Sequence, residues 1–180
     1  MLQALRELGA ADATLPDFLK QTKSIRQGLD APIPYRDLRK RAIRKSLQLT
    51  GRTWEEDVLE VAVQTCYQVW EDERHVAAER FLFEDAVETL QALKDTFPDA
   101  CIAAITNGAG DPFSMPNTLA PHFDFRVSGE ESHVFPHRKP DPYIYQVALD
   151  RYQKECKLQQ QPQHDRLWCH VGDCLANDVG

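Results

Sequence analysis

The sequence predicts an α/β fold in which a doubly wound parallel sheet, over residues 81–180, follows a helical domain, over residues 1–80. Up to about residue 80 the apolar residues recur at helical spacing, and no strand pattern interrupts them. From about residue 84 helix and strand patterns alternate, and each strand is a short, continuous apolar run. Runs of that kind are typical of parallel strands that are buried on both faces of a sheet.

The helical domain is predicted from apolar stripes and one capping motif. Two stripes at helical spacing come first: Leu2, Leu5 and Leu8, then Tyr35, Leu38, Ala42 and Leu49 in a basic helix that ends near Gly51. Next, Thr53-Trp54-Glu55-Glu56 has the pattern of a capping box, which predicts a helix from Thr53 to about Trp70. Its buried face is predicted to carry Val58, Ala62, Thr65, Cys66 and Val69.

The α/β region is predicted to contain three strands and two helices. In chain order these are a helix around residues 83–93, a strand over 101–105, a strand over 123–127, a helix over 140–152 and a strand over 167–171. The Gln-rich segment 154–165 is predicted to be a polar loop. Active sites of such sheets lie beyond the carboxyl ends of the strands, so the residues that follow each apolar run are the candidates for function.

Composition excludes several classes of partner. A net charge of −7 argues against nucleic acid, because phosphate backbones select basic surfaces. No apolar run approaches the roughly 20 residues of a membrane helix, and the first residues lack the pattern of a signal peptide. The five cysteines are odd in number and scattered, which is typical of reduced thiols in an intracellular protein. The spacing of Cys169 and Cys174 matches no common zinc pattern.

Two aspartates follow the third predicted strand. Asp173 comes at the strand end, and Asp178 comes five residues later, about one helical turn on. Two carboxylates about 4 Å apart repel by roughly 4 kcal/mol at an effective dielectric constant of about 20. A hard cation such as Mg²⁺ removes that repulsion and prefers oxygen ligands. Helix capping by Asp173 and Asn177 is the competing interpretation, and the motif alone does not separate the two.

Thr106, Asn107 and Gly108 follow the first strand, where a hydroxyl and backbone amides suit a phosphoryl group. Asn-Gly is equally a strong turn signal. Lys139 precedes Pro140 at the start of a predicted helix, where its ammonium suits phosphate charge or a carboxylate. A solvated surface lysine is the commoner outcome for an isolated Lys. Each motif alone is weak evidence for a phosphate site, and the prediction depends on the order of the motifs along the chain.

An apolar strand ending in Thr-Asn-Gly, then Lys-Pro-Asp-Pro, then Gly-Asp-x-x-x-Asn-Asp-x-Gly resembles motifs two to four of the haloacid dehalogenase superfamily, over about residues 84–180. The resemblance implies a Rossmann-like core, a helical cap domain and a Mg²⁺-dependent phosphatase that works through an aspartyl-phosphate. It implies phosphate binding by Thr106, Asn107 and Gly108 and a charge-stabilising catalytic role for Lys139. Asp173 is then the direct metal ligand, and Asp178 a ligand or a water-mediated partner.

The first motif of that superfamily, Asp-x-Asp-x-Thr after an apolar strand, does not occur in this sequence. The nucleophile is therefore missing from the chain, and the core over residues 81–180 is expected to be partial, as in a fragment. Because the first-motif strand is central in such sheets, its neighbours lose a ladder partner, and the chain alone is expected to be unstable and inactive. The alternative is a catalytically inactive protein that binds a phosphorylated ligand or a protein partner.

Within the superfamily the motifs look most like bacterial and plastid phosphatases that act on flavin mononucleotide and a riboflavin-pathway phosphate. The expected partner is thus a small phosphorylated metabolite, and the expected compartment is the cytoplasm or an organelle, plastids included. A phosphatase that acts on acylneuraminate or glycolate phosphates is an alternative that the sequence leaves open. The sequence does not determine the oligomeric state. A metal-independent dehalogenase leaves the aspartate pair unexplained. A nucleotide-binding fold is discounted because Gly108 and Gly110 lack the third glycine of the dinucleotide motif.

Overall fold

The computed structural model describes residues 2–7, 15–49, 52–155 and 167–178. The chain divides into two compact units, Met1–Ala77 and Ala78–Gly180, and each has a hydrophobic core of its own. The helices are α1 (Leu2–Glu7), α2 (Leu15–Gln27), α3 (Tyr35–Gln48), α4 (Glu56–Arg80), α5 (Ala86–Thr96), α6 (Pro142–Glu155) and α7 (Leu175–Asp178). The strands are β1 (Ala103–Thr106) and β2 (Phe125–Ser128). None of these helices is both long and apolar enough to cross a membrane.

The first unit is built from helices that bury one face each. On α4 the buried residues recur at intervals of three and four and are at most 4% exposed: Leu59, Ala62, Val63, Cys66 and Tyr67. Phe18 of α2 and Ala42, Ile43 and Leu47 of α3 pack into the same core. The 3.6-residue period thus places these side chains on one stripe, as the helical pattern of this region predicts.

The orientation and the start of α4 differ from the prediction. Ala62 and Cys66 of the predicted face are buried, but Thr65 is exposed, Val58 is 49% exposed and Val69 is 36% exposed. The buried stripe is therefore rotated by about one residue from the predicted one. Apolar residues occur on both sides of this helix, and packing against α2 and α3 decides between them. The capping box is not formed, since the Glu55 carbonyl accepts the first helical bond, from Leu59, and the Glu56 carboxylate accepts from Arg44.

Tyr67 makes the first unit sensitive to alkaline pH. Burial and a hydrogen bond from its hydroxyl to Glu71 raise its pKa from 10.0 to about 12. The folded state therefore holds the phenol proton more tightly than the unfolded state, and this stabilisation is complete below pH 10 and lost as pH rises towards 12. We expect the free energy of unfolding to fall more between pH 9 and pH 11.5 in the native chain than in Tyr67→Phe. Equal losses in denaturant titrations of both proteins would contradict this.

The second unit contains a parallel pair of strands. β1 and β2 run in register, with Ala103 opposite Phe125 and Thr106 opposite Ser128. Ile144 and Ala148 of α6 pack with Phe125, Val127 and Val134 in one buried cluster. β1, β2 and α6 agree with their predicted ranges to within about three residues, so the mixed helix and strand pattern with a parallel sheet is confirmed. The Lys139–Pro140 peptide bond is cis.

The third predicted strand is wrong for the structure as described. Residues 167–171 pair with no strand of the described ranges, and the sheet consists of β1 and β2 alone. Leu167 is 93% exposed and Val171 is 88% exposed, although both are apolar. An apolar run becomes a strand only when a neighbouring strand completes its hydrogen bonds, and no such neighbour is present among these residues.

Some predicted features lie outside the described residues. They are the side chains of Leu2, Leu5 and Leu8, the helix end near Gly51, most of the loop over 154–165, and Gly180, the last residue of motif four.

Candidate functional site

The loop after β1 is tied to the end of β2. The Gly129 amide donates to the Thr106 carbonyl at 2.8 Å, and the Ser128 hydroxyl donates to the Gly108 carbonyl at 2.7 Å. Within the loop, Thr106 Oγ1 accepts from the Gly108 amide at 3.2 Å. These bonds hold the Thr106 hydroxyl and the amide of Gly108 together at the carboxyl end of the sheet. Ser128 is only 2% exposed, and its anchoring role is not visible in the sequence.

Asn107 links this loop to Lys139, 32 residues further along the chain. Its Oδ1 accepts from the Lys139 amide at 2.6 Å, and its Nδ2 donates to the Lys139 carbonyl at 3.0 Å. One carboxamide thus satisfies both backbone groups of the lysine. Because the Asn107 side chain is engaged in this way, its backbone amide is the group that it can offer to a ligand.

Gly129 allows the loop and the strand to approach closely. A Cβ at this position would lie 3.1 Å from the carbonyl oxygen of Asn107 and 3.3 Å from its Cα. Backbone atoms cannot give way as the end of a side chain can, so a larger residue would push Asn107 away from Lys139. The glycine is therefore explained by packing at the site.

The Lys139 ammonium pairs with Asp178. Lys139 Nζ lies 2.6 Å from Asp178 Oδ1, and the two side chains are 14% and 5% exposed. His170 Nε2 lies 3.2 Å from the same oxygen, and the Cys174 amide donates to Asp178 Oδ2 at 3.0 Å. The Lys139 ammonium, then the Cys174 amide and His170, lower the pKa of Asp178 to about 2. Asp178 is therefore a carboxylate at any pH near neutrality.

His170 and Tyr145 were not identified from the sequence as part of this cluster. The His170 ring meets the Tyr145 ring edge-on, with centroids 5.4 Å apart, and the Tyr145 hydroxyl donates to the Asn177 carbonyl at 3.1 Å. Both residues thus brace the turn that carries Asp178. The position of His170, two residues before the Gly172-Asp173 pair, was the available signal, but its contact with Asp178 needs the fold.

Asp173 stands apart from these contacts. Its side chain is exposed and makes no hydrogen bond or ion pair within the described part of the chain. Among the described residues, no group of three or more His, Cys, Asp or Glu side chains is arranged to hold a metal ion. The structure therefore brings Asn107, Lys139 and Asp178 into direct contact, with Thr106 and Gly108 adjoining, and leaves Asp173 as a free carboxylate nearby in sequence.

The two aspartates are nevertheless ligands of the type that a hard divalent cation prefers. Asp173 and Asp178 both offer carboxylate oxygens, and Asp178 is ionised at neutral pH. Both oxygens of Asp178 are engaged, with Lys139, His170 and the Cys174 amide. A cation at this position would share that carboxylate with the ammonium, and the exposed Asp173 carboxylate has no competing partner among the described residues.

Comparison with known proteins gives one family. A family model with the description "Hydrolase: haloacid dehalogenase-like hydrolase" matches residues 3–180. A search of the curated proteins and a search of the solved structures each gave no significant match.

Proposed function

The chain belongs to the haloacid dehalogenase-like hydrolase family, and from that membership we propose that it serves the Mg²⁺-dependent hydrolysis of a phosphomonoester. The observation that carries the proposal is the buried Lys139–Asp178 pair, which Asn107 fixes at the carboxyl end of β1. The Lys139 ammonium, the Asp178 carboxylate and the backbone amides of the loop after β1 suit a phosphoryl group and its metal ion.

Thr106, Asn107 and Gly108 hold the phosphoryl oxygens in this proposal. The Thr106 hydroxyl and the Gly108 amide already lie 3.2 Å apart, so both can address one oxygen after a small rotation of the hydroxyl. Ser128 keeps the loop in place by binding the Gly108 carbonyl. Donors that are fixed in advance stabilise transition-state charge without the cost of reorganisation.

Lys139 supplies the positive charge that faces the phosphoryl group. Asn107 holds the backbone of Lys139, and Asp178 holds its ammonium, so the side chain is fixed at both ends. Asp173 and Asp178 would hold Mg²⁺, with Asp178 bound directly or through water. When bound, the ion offsets negative charge on the phosphoryl group.

The nucleophile is proposed to come from outside these 180 residues, because no two aspartates in the sequence are two positions apart. In the expected reaction a carboxylate oxygen bonds to phosphorus, and the phosphorus–oxygen bond to the leaving group breaks. The leaving alkoxide takes a proton from a second acid, which then activates the water that cleaves the aspartyl-phosphate. The residues described above bind and orient the phosphoryl group in both steps.

A riboflavin-pathway phosphate, or flavin mononucleotide itself, is the proposed substrate, on the resemblance of the three motifs. The aromatic residues of the first unit give this choice no support. Tyr67 is buried in the core, Trp54 donates its Nε1 hydrogen to the Leu47 carbonyl, and the Arg39 guanidinium covers Trp70 at 3.8 Å. These rings pack within the unit. The rates of hydrolysis of flavin mononucleotide, glycolate phosphate and acylneuraminate phosphate decide among the three substrates.

Metal removal tests the proposed function. Protein expressed with the coding sequence upstream of Met1 is expected to hydrolyse p-nitrophenyl phosphate with Mg²⁺ and to fall to background in excess chelator. Restoring Mg²⁺ is expected to restore the rate, since the ion offsets charge that Lys139 alone does not. Equal rates with and without chelator would overturn the assignment of Asp173 and Asp178.

The missing motif favours a second candidate, a non-catalytic protein that binds a phosphorylated ligand or a protein partner. The upstream coding sequence separates the two. An in-frame Asp-x-Asp-x-Thr after an apolar run supports the enzyme, whereas a verified transcript without it supports the binding protein. The 180-residue chain alone is expected to show no turnover in either case.

A further inference from the structure

Two arginines of the first unit lie against the same indole ring. The Arg39 guanidinium carbon is 3.8 Å from the centroid of Trp70, and that of Arg74 is 5.3 Å from it. The Arg39 guanidinium carbon also lies 5.9 Å from the ring centroid of Phe18, so it is close to two aromatic side chains. Arg39 comes from α3 and Arg74 from α4, one helical turn after Trp70. The fold therefore brings two like charges together.

Neither guanidinium has an acidic partner in the part of the chain that the structure describes. No carboxylate of the described residues forms an ion pair with Arg39 or Arg74. Arg36 and Arg44, which lie on α3 like Arg39, each form one. Glu71, one turn before Arg74, accepts instead from the Tyr67 hydroxyl at 3.0 Å. Stacking on an aromatic ring compensates a guanidinium in part but accepts none of its five N–H bonds.

Arg74 carries an unmet hydrogen bond. Its Nε is buried and has no hydrogen-bond partner among the described residues, which is unusual because a buried donor without an acceptor is costly. Burial lowers the pKa of the Arg39 guanidinium, the charge distribution of Tyr67 opposes that shift, and the charge of Arg74 adds to it. A bound anion would therefore offset both the cost of burying the two guanidinium charges and the repulsion between them.

We propose that Arg39 and Arg74, on the shared ring of Trp70, form a binding site for an oxyanion, a phosphate or carboxylate group, in the helical unit. Guanidinium groups bind such anions through paired N–H donors, and two of them suit a doubly charged group. Both arginines are only half-buried, so a small anion can reach them. The net charge of −7 makes a small anion, and not a nucleic acid, the fitting ligand. The site stands independently of the proposed phosphatase activity.

The indole N–H of Trp70 reports occupancy directly in a ¹H–¹⁵N spectrum of the 180-residue chain, after assignment with Trp70→Phe. Inorganic phosphate is titrated at constant ionic strength, and the Trp70 signal is expected to shift saturably. Arg39→Gln or Arg74→Gln is expected to weaken phosphate binding about tenfold or more, because each removes charged hydrogen bonds. Arg41→Gln, an exposed arginine on the same helix, is the matched control and is expected to bind as the native chain does.

Three further arms complete the test. Arg39→Lys and Arg74→Lys keep the charge but lose the paired donors, and an intermediate affinity is expected; an unchanged Trp54 signal shows that the unit is still folded. Acetate in place of phosphate decides between the two oxyanion classes, and a saturable shift with either supports the site. Thr106→Val is expected to leave the Trp70 titration unchanged, which separates this site from the one at β1. A Trp70 signal that does not saturate in the native chain, or a phosphate affinity that is the same in the native chain and in the two Gln variants, would overturn the proposal.

Discussion

Replacing Gly172 by alanine is expected to lower the affinity of the proposed Mg²⁺ site by about 10- to 100-fold, the range seen when the support of a metal-binding ligand is lost. A Cβ at Gly172 would overlap the Asp178 carboxylate and lie 2.5 Å from Asp178 Cβ. The Cβ is not the flexible end of that side chain, so the turn itself has to shift. Asp178 then loses its positions against Lys139 and the Cys174 amide. Only glycine permits this approach.

Gly110→Ala is the matched control. A Cβ there meets only Thr106 Oγ1, at 3.8 Å, which is an ordinary contact. The chain is expected to be destabilised by the lack of the first-motif strand, but each unit has a buried core of its own. Mg²⁺ binding is therefore titrated calorimetrically on the 180-residue chain once a denaturant titration has shown that it is folded, whereas turnover needs the nucleophile. An unchanged Mg²⁺ affinity in Gly172→Ala would show that Asp178 does not take part in metal binding.

Replacing Asn107 by alanine is expected to lower the free energy of unfolding by about 1–3 kcal/mol and to weaken phosphate binding at the loop after β1. The variant removes both hydrogen bonds to the Lys139 backbone and leaves the Lys139 amide and carbonyl without their partner. Lys139 then has Asp178 as its only remaining fixed contact in the described site. The expected loss of affinity is about tenfold, since the ammonium is no longer aimed at the phosphoryl group.

Two variants sharpen this prediction. Asn107→Asp keeps an acceptor for the Lys139 amide but loses the donor to its carbonyl and adds a negative charge, so phosphate binding is expected to fall further. Asn117→Ala alters an exposed asparagine in the same unit, and no change is expected. Denaturant unfolding and phosphate titration of the three proteins give the comparison. If Asn107→Ala matches Asn117→Ala in both, Asn107 does not position Lys139.

The sequence was sufficient where local chemistry decides the outcome. The apolar run at 101–105 predicted β1, and its end correctly placed Thr106 at the carboxyl edge of the parallel pair with β2. The helical spacing in the first unit was also predictive, but the buried face of α4 was predicted correctly only at Ala62 and Cys66. Val58 and Leu59 are both apolar, and only the packing of α4 into the core that it shares with α2 and α3 makes Leu59 the buried one.

Contacts between distant segments could not be derived in this way. The hydrogen bonds of Asn107 to Lys139 join residues 32 positions apart, and no pattern along the chain encodes them. The apolar run 167–171 looked like a strand, yet its pairing depends on a neighbour that no described residue provides. The arginine pair on Trp70 likewise arises only when α3 and α4 pack together.

Phosphate binding at Gly108 tests the central claim most directly. The backbone amide signal of Gly108 is followed while inorganic phosphate is added to the 180-residue chain, with and without Mg²⁺. A saturable shift that requires Mg²⁺, that is lost in Lys139→Gln and that persists in Lys154→Gln, an exposed lysine on α6, is the predicted result. A Gly108 signal that ignores phosphate, or that shifts equally without Lys139, would contradict a phosphoryl site at this sheet edge.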